Sequence, residues 1–385
     1  MKNMDIAIDA SRAIRSRKTG VEWYACKLIE ALAKIAPPGW RVDLIVDNSP
    51  PPSLRVRGGR EGLVPSFNFS LPPQWSITSL RWPPRYLWSQ VRLAAHLQIT
   101  RPNLFFSPVH VLPFLATAPA VVTIHDVDYV THPEAYSAKG RAYLKLTTRF
   151  AVRRAVRVLV PSEATRQGLI KYFGASPEKI AVTPLAPIIT DIPPASEVAA
   201  VKKKLGIEWP YFLFLGRLET KKNAVRVIEA FKKIQPALGE TRLLLVGRPG
   251  RGYEAVRSAI KNAGLGDRIF ELGWRSAEEV TTLLTGATAL VFPSLAEGFG
   301  LPILDAFAVG TPVITSASIA TEEVAGGAAV LVDPFSTDEI ADAMKSLAEN
   351  HAPAVELAAK GREWVKNFSW EKTARQTLAV FQEII

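Results

Sequence analysis

At 385 residues the chain is too long for one ordinary core and suits two domains; 48% hydrophobic against 22% charged residues excludes the disordered and fibrous classes. The single cysteine, Cys26, excludes an internal disulfide and a cysteine metal cluster, which fits a reducing compartment with the cytoplasm as the default. The formal net charge of +11 is one-sided, with 25 Lys and Arg against 13 Asp and Glu in residues 1–195 but 22 against 23 in 196–385, so an anionic partner (nucleic acid, an anionic membrane face or a phosphorylated substrate) is expected to meet the first half.

The opening Met-Lys-Asn-Met-Asp-Ile-Ala-Ile-Asp sets carboxylates where a signal peptide needs an unbroken apolar core, and no later stretch reaches roughly 18 apolar residues, so neither a leader nor a membrane span is expected. Short β-branched runs then alternate with amphipathic stretches, the pattern of parallel sheets with helical crossovers. The first half predicts strands at Asp5–Asp9, Arg41–Val46, Leu104–Ser107, Ala120–His125 and Arg157–Pro161, with helices near 21–35, 85–97, 139–154 and 163–173. Segment 48–73 is Pro-rich and reads as irregular. Around Pro187–Ser196 the periodicity stops and prolines cluster, which predicts a linker. The second half predicts strands at Tyr211–Leu215, Leu243–Val246, Ile269–Leu272, Ala289–Phe292, Pro312–Thr315 and Ala329–Val332. The fold class is therefore α/β, as two Rossmann-like, doubly wound domains: 1–190, 191–368, and a final helix over 369–385. Such sheets bind ligands beyond the carboxyl ends of their strands, so the turns there are the candidate sites.

The strongest of these turns is Phe292-Pro-Ser-Leu-Ala-Glu-Gly-Phe-Gly-Leu-Pro-Ile-Leu-Asp305, a buried strand ending in a Gly-rich loop that opens a helix. Pro302 suits a first helical turn, Gly298 and Gly300 let a ligand approach the backbone, and the helix directs its positive end there. On these grounds alone Glu297 and Asp305 also read as acids that merely complement a helix start. Phe214-Leu-Gly-Arg-Leu-Glu-Thr-Lys-Lys-Asn223 follows the first strand of the second half, and offers Arg217 and Lys222 either as an anion grip or as two solvated cations. In the first half, Lys18-Thr-Gly-Val-Glu-Trp-Tyr24 sets Gly20 at a helix start. His125 closes Val121-Val-Thr-Ile-His-Asp126; taken singly, these are equally a turn glycine and a satisfied strand-end histidine.

The spacing of Glu297 and Asp305, with seven residues between them, resembles the paired-acid signature of retaining glycosyltransferases of the glycogen-synthase and lipopolysaccharide-mannosyltransferase superfamily, family 4 in particular. That signature has Glu at both ends; here the second is Asp305, shorter by a methylene. The resemblance implies a GT-B fold, with two Rossmann-like domains facing across a cleft. It implies that Glu297 binds donor-sugar hydroxyls with the amides of Phe299, Gly300 and Leu301, and that Asp305 takes the nucleotide ribose. Arg217 and Lys222 would grip the donor diphosphate together with the Gly20 amide, and His125 would lie near the transferred sugar. Val246-Gly-Arg248 and Leu272-Gly-Trp-Arg275 also match, which adds Gly216, Gly247 and Trp274 to the donor-binding set, the last at the base pocket. Phe368-Ser-Trp-Glu-Lys-Thr-Ala374 matches the helix that returns to the first domain.

The implied activity is transfer of a hexose from a nucleotide-diphosphate sugar to a glycan or lipid-linked acceptor with retention, in cell-surface polysaccharide or glycolipid assembly. The opening region's likeness to mannosyltransferases implies a GDP-mannose donor. No cofactor and no metal are expected. Asp126-Val-Asp128 has the spacing of a metal-binding acid pair, but Arg217 and Lys222 already offer the charge a diphosphate needs. Trp75, Trp82 and Trp88 among Arg81, Arg85 and Arg92 suit a lipid headgroup boundary or a phosphate-bearing acceptor as well as they suit an ordinary core. A peripheral position on the inner face of the cytoplasmic membrane is thus expected of the basic first half. The alternative is a non-enzymatic nucleic-acid or anionic-surface binder, motivated by the pI of 9.7, although no nucleic-acid-binding signature accompanies the charge.

Overall fold

The computed structural model describes residues 4–47, 67, 69–82 and 87–385. The opening three residues, most of the Pro-rich stretch and Arg85 with the start of its expected helix lie outside these. The chain divides into two units: Met1–Val127, Ala142–Leu185 and Trp370–Ile385 form the first, Asp128–Arg141 and Ala186–Ser369 the second.

The first unit starts with β1 (Met4–Asp9), α1 (Gly20–Ile35), β2 (Trp40–Asp47) and β3 (Trp75–Leu80). A π-helical turn at Trp88–Leu93 runs into α2 (Ala94–Thr100), then come β4 (Leu104–Ser107) and β5 (Ala120–Thr123). The chain then enters the second unit for α3 (Asp128–Thr131) and returns along α4 (Ala138–Arg154), after which β6 (Arg157–Val160), α5 (Glu163–Phe173) and β7 (Ile180–Val182) complete a parallel seven-stranded sheet of order β3-β2-β1-β4-β5-β6-β7. β4 and β5 are buried at every position, as a strand covered on both faces must be, and this explains their unbroken apolar runs. The edge strands β3 and β7 are absent from the expected set. β7 has only three residues, and Trp75-Ser-Ile-Thr-Ser-Leu80 is too polar to read as sheet without its neighbour β2. Trp75 and Trp88 are buried, and Trp82 packs half-buried on the core that contains Trp88. These three therefore take the core alternative, not the lipid boundary.

The second unit contains α6 (Ala195–Lys204), β8 (Tyr211–Leu215), α7 (Ala224–Ile234), β9 (Arg242–Val246), α8 (Tyr253–Ala263), β10 (Ile269–Gly273), α9 (Ala277–Thr285) and β11 (Ala289–Phe292). α10 (Leu301–Val309), β12 (Val313–Ser316), α11 (Ile319–Ala325), β13 (Val330–Val332), α12 (Thr337–Glu349) and α13 (His351–Trp364) follow. The parallel sheet order is β10-β9-β8-β11-β12-β13. α7 shows why the helices dock: Val227, Ile228, Phe231 and Ile234 recur at helical spacing and are buried, leaving Lys232 and Lys233 in water. Each such side chain contributes roughly 1.5–3 kcal/mol. The last helix, α14 (Trp370–Gln382), belongs to the first unit, where Phe381 meets Phe106 at 5.1 Å and the Thr373 hydroxyl donates to the Pro184 carbonyl at 2.6 Å.

Strand order reverses between β1 and β4 in the first unit and between β8 and β11 in the second. At such a switch point consecutive loops turn opposite ways and leave a crevice at the carboxyl ends.

Candidate functional site

The switch point of the second unit sets the loop after β8 beside the loop after β11, and the two are tied directly: the Leu295 amide donates to the Lys221 carbonyl at 2.8 Å. From the first comes Lys222, from the second Glu297, and their ammonium and carboxylate form an ion pair. Both side chains are largely withdrawn from water, at 16% and 9% exposure, and the Lys222 ammonium also lies 5.2 Å from the Phe292 ring centroid. A cation and an acid so confined strengthen each other, because little solvent screens them. The adjoining Lys221 takes a different partner, Asp128 on α3, at 2.8 Å. One of the two acids considered for a metal is therefore engaged by a lysine. Arg217 stands more open, with Glu219 at 3.4 Å.

Behind Lys222, Asn223 is buried at φ 65° and donates from its amide to the carbonyls of Pro293 (2.9 Å) and Pro334 (2.7 Å). It fixes three strand-end segments at once. Sequence reading passed over it; the available signal was Asn directly after the lysine pair, since Asn tolerates left-handed backbone better than other side-chain-bearing residues. Gly216 and Gly247 end β8 and β9, and the Gly216 amide donates to the Val246 carbonyl at 2.9 Å. A Cβ on Gly247 would fall 1.7 Å from the Gly216 carbonyl oxygen, so only glycine allows these loops to close on one another. After β10, Trp274 is 37% exposed with the Arg248 guanidinium 5.8 Å from its ring, a half-open aromatic face at the same sheet end.

After β11, Gly300 caps α10 at φ 109° and Pro302 occupies its first turn, so the amides around Gly298, Phe299, Gly300 and Leu301 lie at a helix N-terminus beside Glu297. Phe299 is buried and meets Phe368 edge-on at 6.3 Å, which holds the loop down. Asp305, a turn further along α10, is also buried. Its Oδ1 accepts the backbone N–H groups of Ile188 (2.7 Å) and Ile189 (3.2 Å). Burial pushes its carboxyl up to about 7, against the pull of these two donors. The structure thus brings Lys222 and Glu297 together and turns Asp305 toward residues 188–189.

In the first unit, α1 starts with a capping box: Glu22 accepts from the Thr19 amide at 3.1 Å and from its hydroxyl, next to Gly20. Arg12 donates to the other oxygen of Glu22 at 3.1 Å. Burial raises the Glu22 carboxyl, but the Thr19 bonds and the Arg12 charge outweigh it and hold it below the ordinary value. His125, just past β5, packs edge-on against Tyr24 of α1 at 4.8 Å, so the α1 start and the β5 end are joined side chain to side chain. Its Nε2 meets the Pro108 carbonyl at 2.9 Å, which requires a hydrogen there. Burial, then the neighbouring His110, lower its pKa to about 4, so the ring is neutral at ordinary pH.

Two family models match: glycosyltransferase family 4 over residues 18–186 and glycosyl transferases group 1 over 197–364. The O-antigen chain mannosyltransferase B of Escherichia coli is 31% identical over 271 residues, 68% of this chain and 70% of that protein. The 2-deoxystreptamine glucosyltransferase of Streptomyces kanamyceticus is 26% identical over 370 residues, 89% of each chain. Among solved structures, Anabaena HepE in complex with UDP and glucose superposes with a TM-score of 0.74 at 18% identity, over 99% of this chain and 100% of that one.

Proposed function

Because the chain belongs to the family 4, group 1 glycosyltransferases, whose GT-B fold it has, we propose that it moves a hexose from a nucleoside-diphosphate sugar to a glycan or lipid-linked acceptor with retention of configuration. The observation that carries this reading is the Lys222–Glu297 ion pair at the mouth of the glycine loop. A diphosphate arriving there competes for Lys222, and Glu297 is released toward the sugar hydroxyls. Arg217 and Lys222 hold the leaving diphosphate, and the loop amides of Phe299, Gly300 and Leu301 hold the sugar. Gly216, Gly247 and Trp274 line the nucleotide side; within the first unit, neutral His125 and the Gly20 amide are the candidates that the family resemblance offers.

The bond from the anomeric carbon to the phosphate oxygen breaks, and that oxygen keeps the electron pair and takes the proton of the acceptor hydroxyl. The acceptor oxygen bonds on the same face. The two cations balance the growing charge, so the step needs no cofactor or metal. Mannose is the donor sugar that the Escherichia coli mannosyltransferase relative supports, with GDP as the carrier that the resemblance implies; glucose on UDP is the second reading, motivated by the glucosyltransferase relative and by HepE with its UDP and glucose. The acceptor belongs to cell-surface polysaccharide or glycolipid assembly, reached from the cytoplasmic side of the membrane. Support for that contact is the excess of Lys and Arg in residues 1–195, together with exposed Tyr143 and Leu146 beside exposed Lys145 and Arg149 on α4. Among the described residues no helix is long and apolar enough to cross a membrane.

The test is a panel of GDP- and UDP-sugars, with and without EDTA, in which NMR of the product reads the anomeric configuration. Transfer with retention, undiminished by EDTA, is expected; an inverted product would refute the mechanism, and a need for divalent metal would refute the role given to Arg217 and Lys222.

A further inference from the structure

Asp305 combines three properties that a ligand-binding acid does not need together. It is 5% exposed, it has no charged neighbour among the groups that shift its titration, and one oxygen already accepts two backbone donors. Those donors belong to consecutive residues, Ile188 and Ile189, in an irregular stretch. The stretch follows the point, after Leu185, at which the chain passes from the first unit into the second. Ile189 is itself buried, so its N–H must find an acceptor inside the protein, and Asp305 supplies it. The helix that carries Asp305 starts at the loop of Glu297, Gly298, Phe299 and Gly300, and residues 301 and 305 lie one turn apart on it.

Taking the donor-site reading above as its premise, we infer that Asp305 is a positioning residue: it fastens residues 186–190 to α10, and so holds the loop 297–301 in place, instead of binding the nucleotide ribose. The Oδ1 geometry asks for an acceptor oxygen at this point and for no charge. The shorter aspartate arm fits the task, since a glutamate would carry the carboxylate a methylene past two donors already at hydrogen-bond distance.

The experiment compares the full-length wild type with Asp305→Ala and Asp305→Asn in melting temperature, in donor kcat and KM, and in binding of UDP and GDP against their 2′,3′-dideoxy counterparts. Asp305→Ala leaves two buried N–H groups without an acceptor and is expected to lower Tm by about 5 °C or more and kcat/KM by roughly tenfold. The preference for ribose over dideoxyribose should stay within about twofold of wild type, because no ribose contact is lost. Asp305→Asn keeps the acceptor oxygen and should restore both Tm and kcat/KM. A ribose preference that collapses in either variant would overturn the inference, as would an Asp305→Ala enzyme with unchanged Tm. If Asp305→Ala does not fold, the preference is read on Asp305→Asn, where a ribose ligand would lose several-fold and a fastening residue would not. Failure of every nucleotide to bind the wild type would defeat the donor-site reading instead, and the Tm of the two variants would still decide whether Asp305 fastens the segment.

Discussion

Asp305 and His125 are buried titratable groups whose shifts act on stability in opposite directions. The Asp305 carboxyl is raised to about 7, so the folded state keeps a proton that the unfolded chain loses above pH 4; its contribution is full below that and is lost as pH rises toward 7. His125 is lowered to about 4, so the unfolded chain gains a proton below 6.5 that the folded state refuses; its contribution is full above 6.5 and is lost as pH falls toward 4. Between pH 4 and 6.5 the two slopes oppose, each about 1.4 kcal/mol per pH unit at most. Replacing Asp305 by Asn removes one slope and leaves the other. The difference in unfolding free energy between Asp305→Asn and wild type should therefore grow with pH from 4 to 7 and then level off, as denaturant titrations at fixed pH would read. A difference independent of pH would mean that Asp305 is ionised throughout. At the ion pair the effect falls on rate: Lys222→Ala should lower kcat by about 10²- to 10³-fold, the range for removing one preorganised donor. Glu297→Gln should retain the melting temperature within a few degrees and lose most transfer; a variant with full transfer would remove Glu297 from the mechanism.

The loops act as units because glycine and asparagine let strand ends approach where side chains would collide. A Cβ at Gly247 meets the Gly216 carbonyl at 1.7 Å, whereas at Gly266 it meets nothing within 4 Å. Gly247→Ala must therefore push the β8 and β9 loops apart, at a cost of about 1–3 kcal/mol or more, and disturb Arg217 with them. Gly266→Ala should be near neutral. Equal melting temperatures for the two would contradict the packing of these loops. The same elements show what could be read beforehand. The central strands were legible because burial on both faces makes them continuous apolar runs, and the helices because their apolar residues recur at 3.6. β3 and β7 were not, since β3 alternates with Ser and Thr and β7 has only three residues, so neither offers an apolar run of its own. Lys222 and Glu297 were legible as candidates from loop chemistry and resemblance, but their ion pair spans 75 positions and exists only through the strand order. The bonds from Asn223 to Pro293 and Pro334 and from Asp305 to residues 188–189 were invisible for the same reason: a side chain's acceptor or donor is chosen by the fold, not by its neighbours in sequence.

Across the whole chain the charge is unevenly divided. Residues 196–385 are close to neutral, while residues 1–195 carry an excess of 12 positive charges. Charge of this kind acts at a distance and is weakened by salt, with a Debye length of about 10 Å at 0.1 M. On α4, Tyr143 and Leu146 are 43% and 58% exposed, one turn apart, and the helix carries no acidic residue. Basic charge draws a protein to an anionic surface, and exposed apolar side chains then add a contribution that salt does not screen. Sedimentation with phosphatidylglycerol vesicles should therefore show strong binding at about 50 mM salt, falling but not vanishing by about 500 mM. Phosphatidylcholine vesicles should bind little. Replacing Tyr143 and Leu146 by Ser should abolish the residue that survives high salt, while replacing Lys145 and Arg149 by Gln should weaken the low-salt part. If phosphatidylglycerol fails to bind at low salt, the membrane contact falls, and the positive field of the first half is left to act on a soluble anionic acceptor.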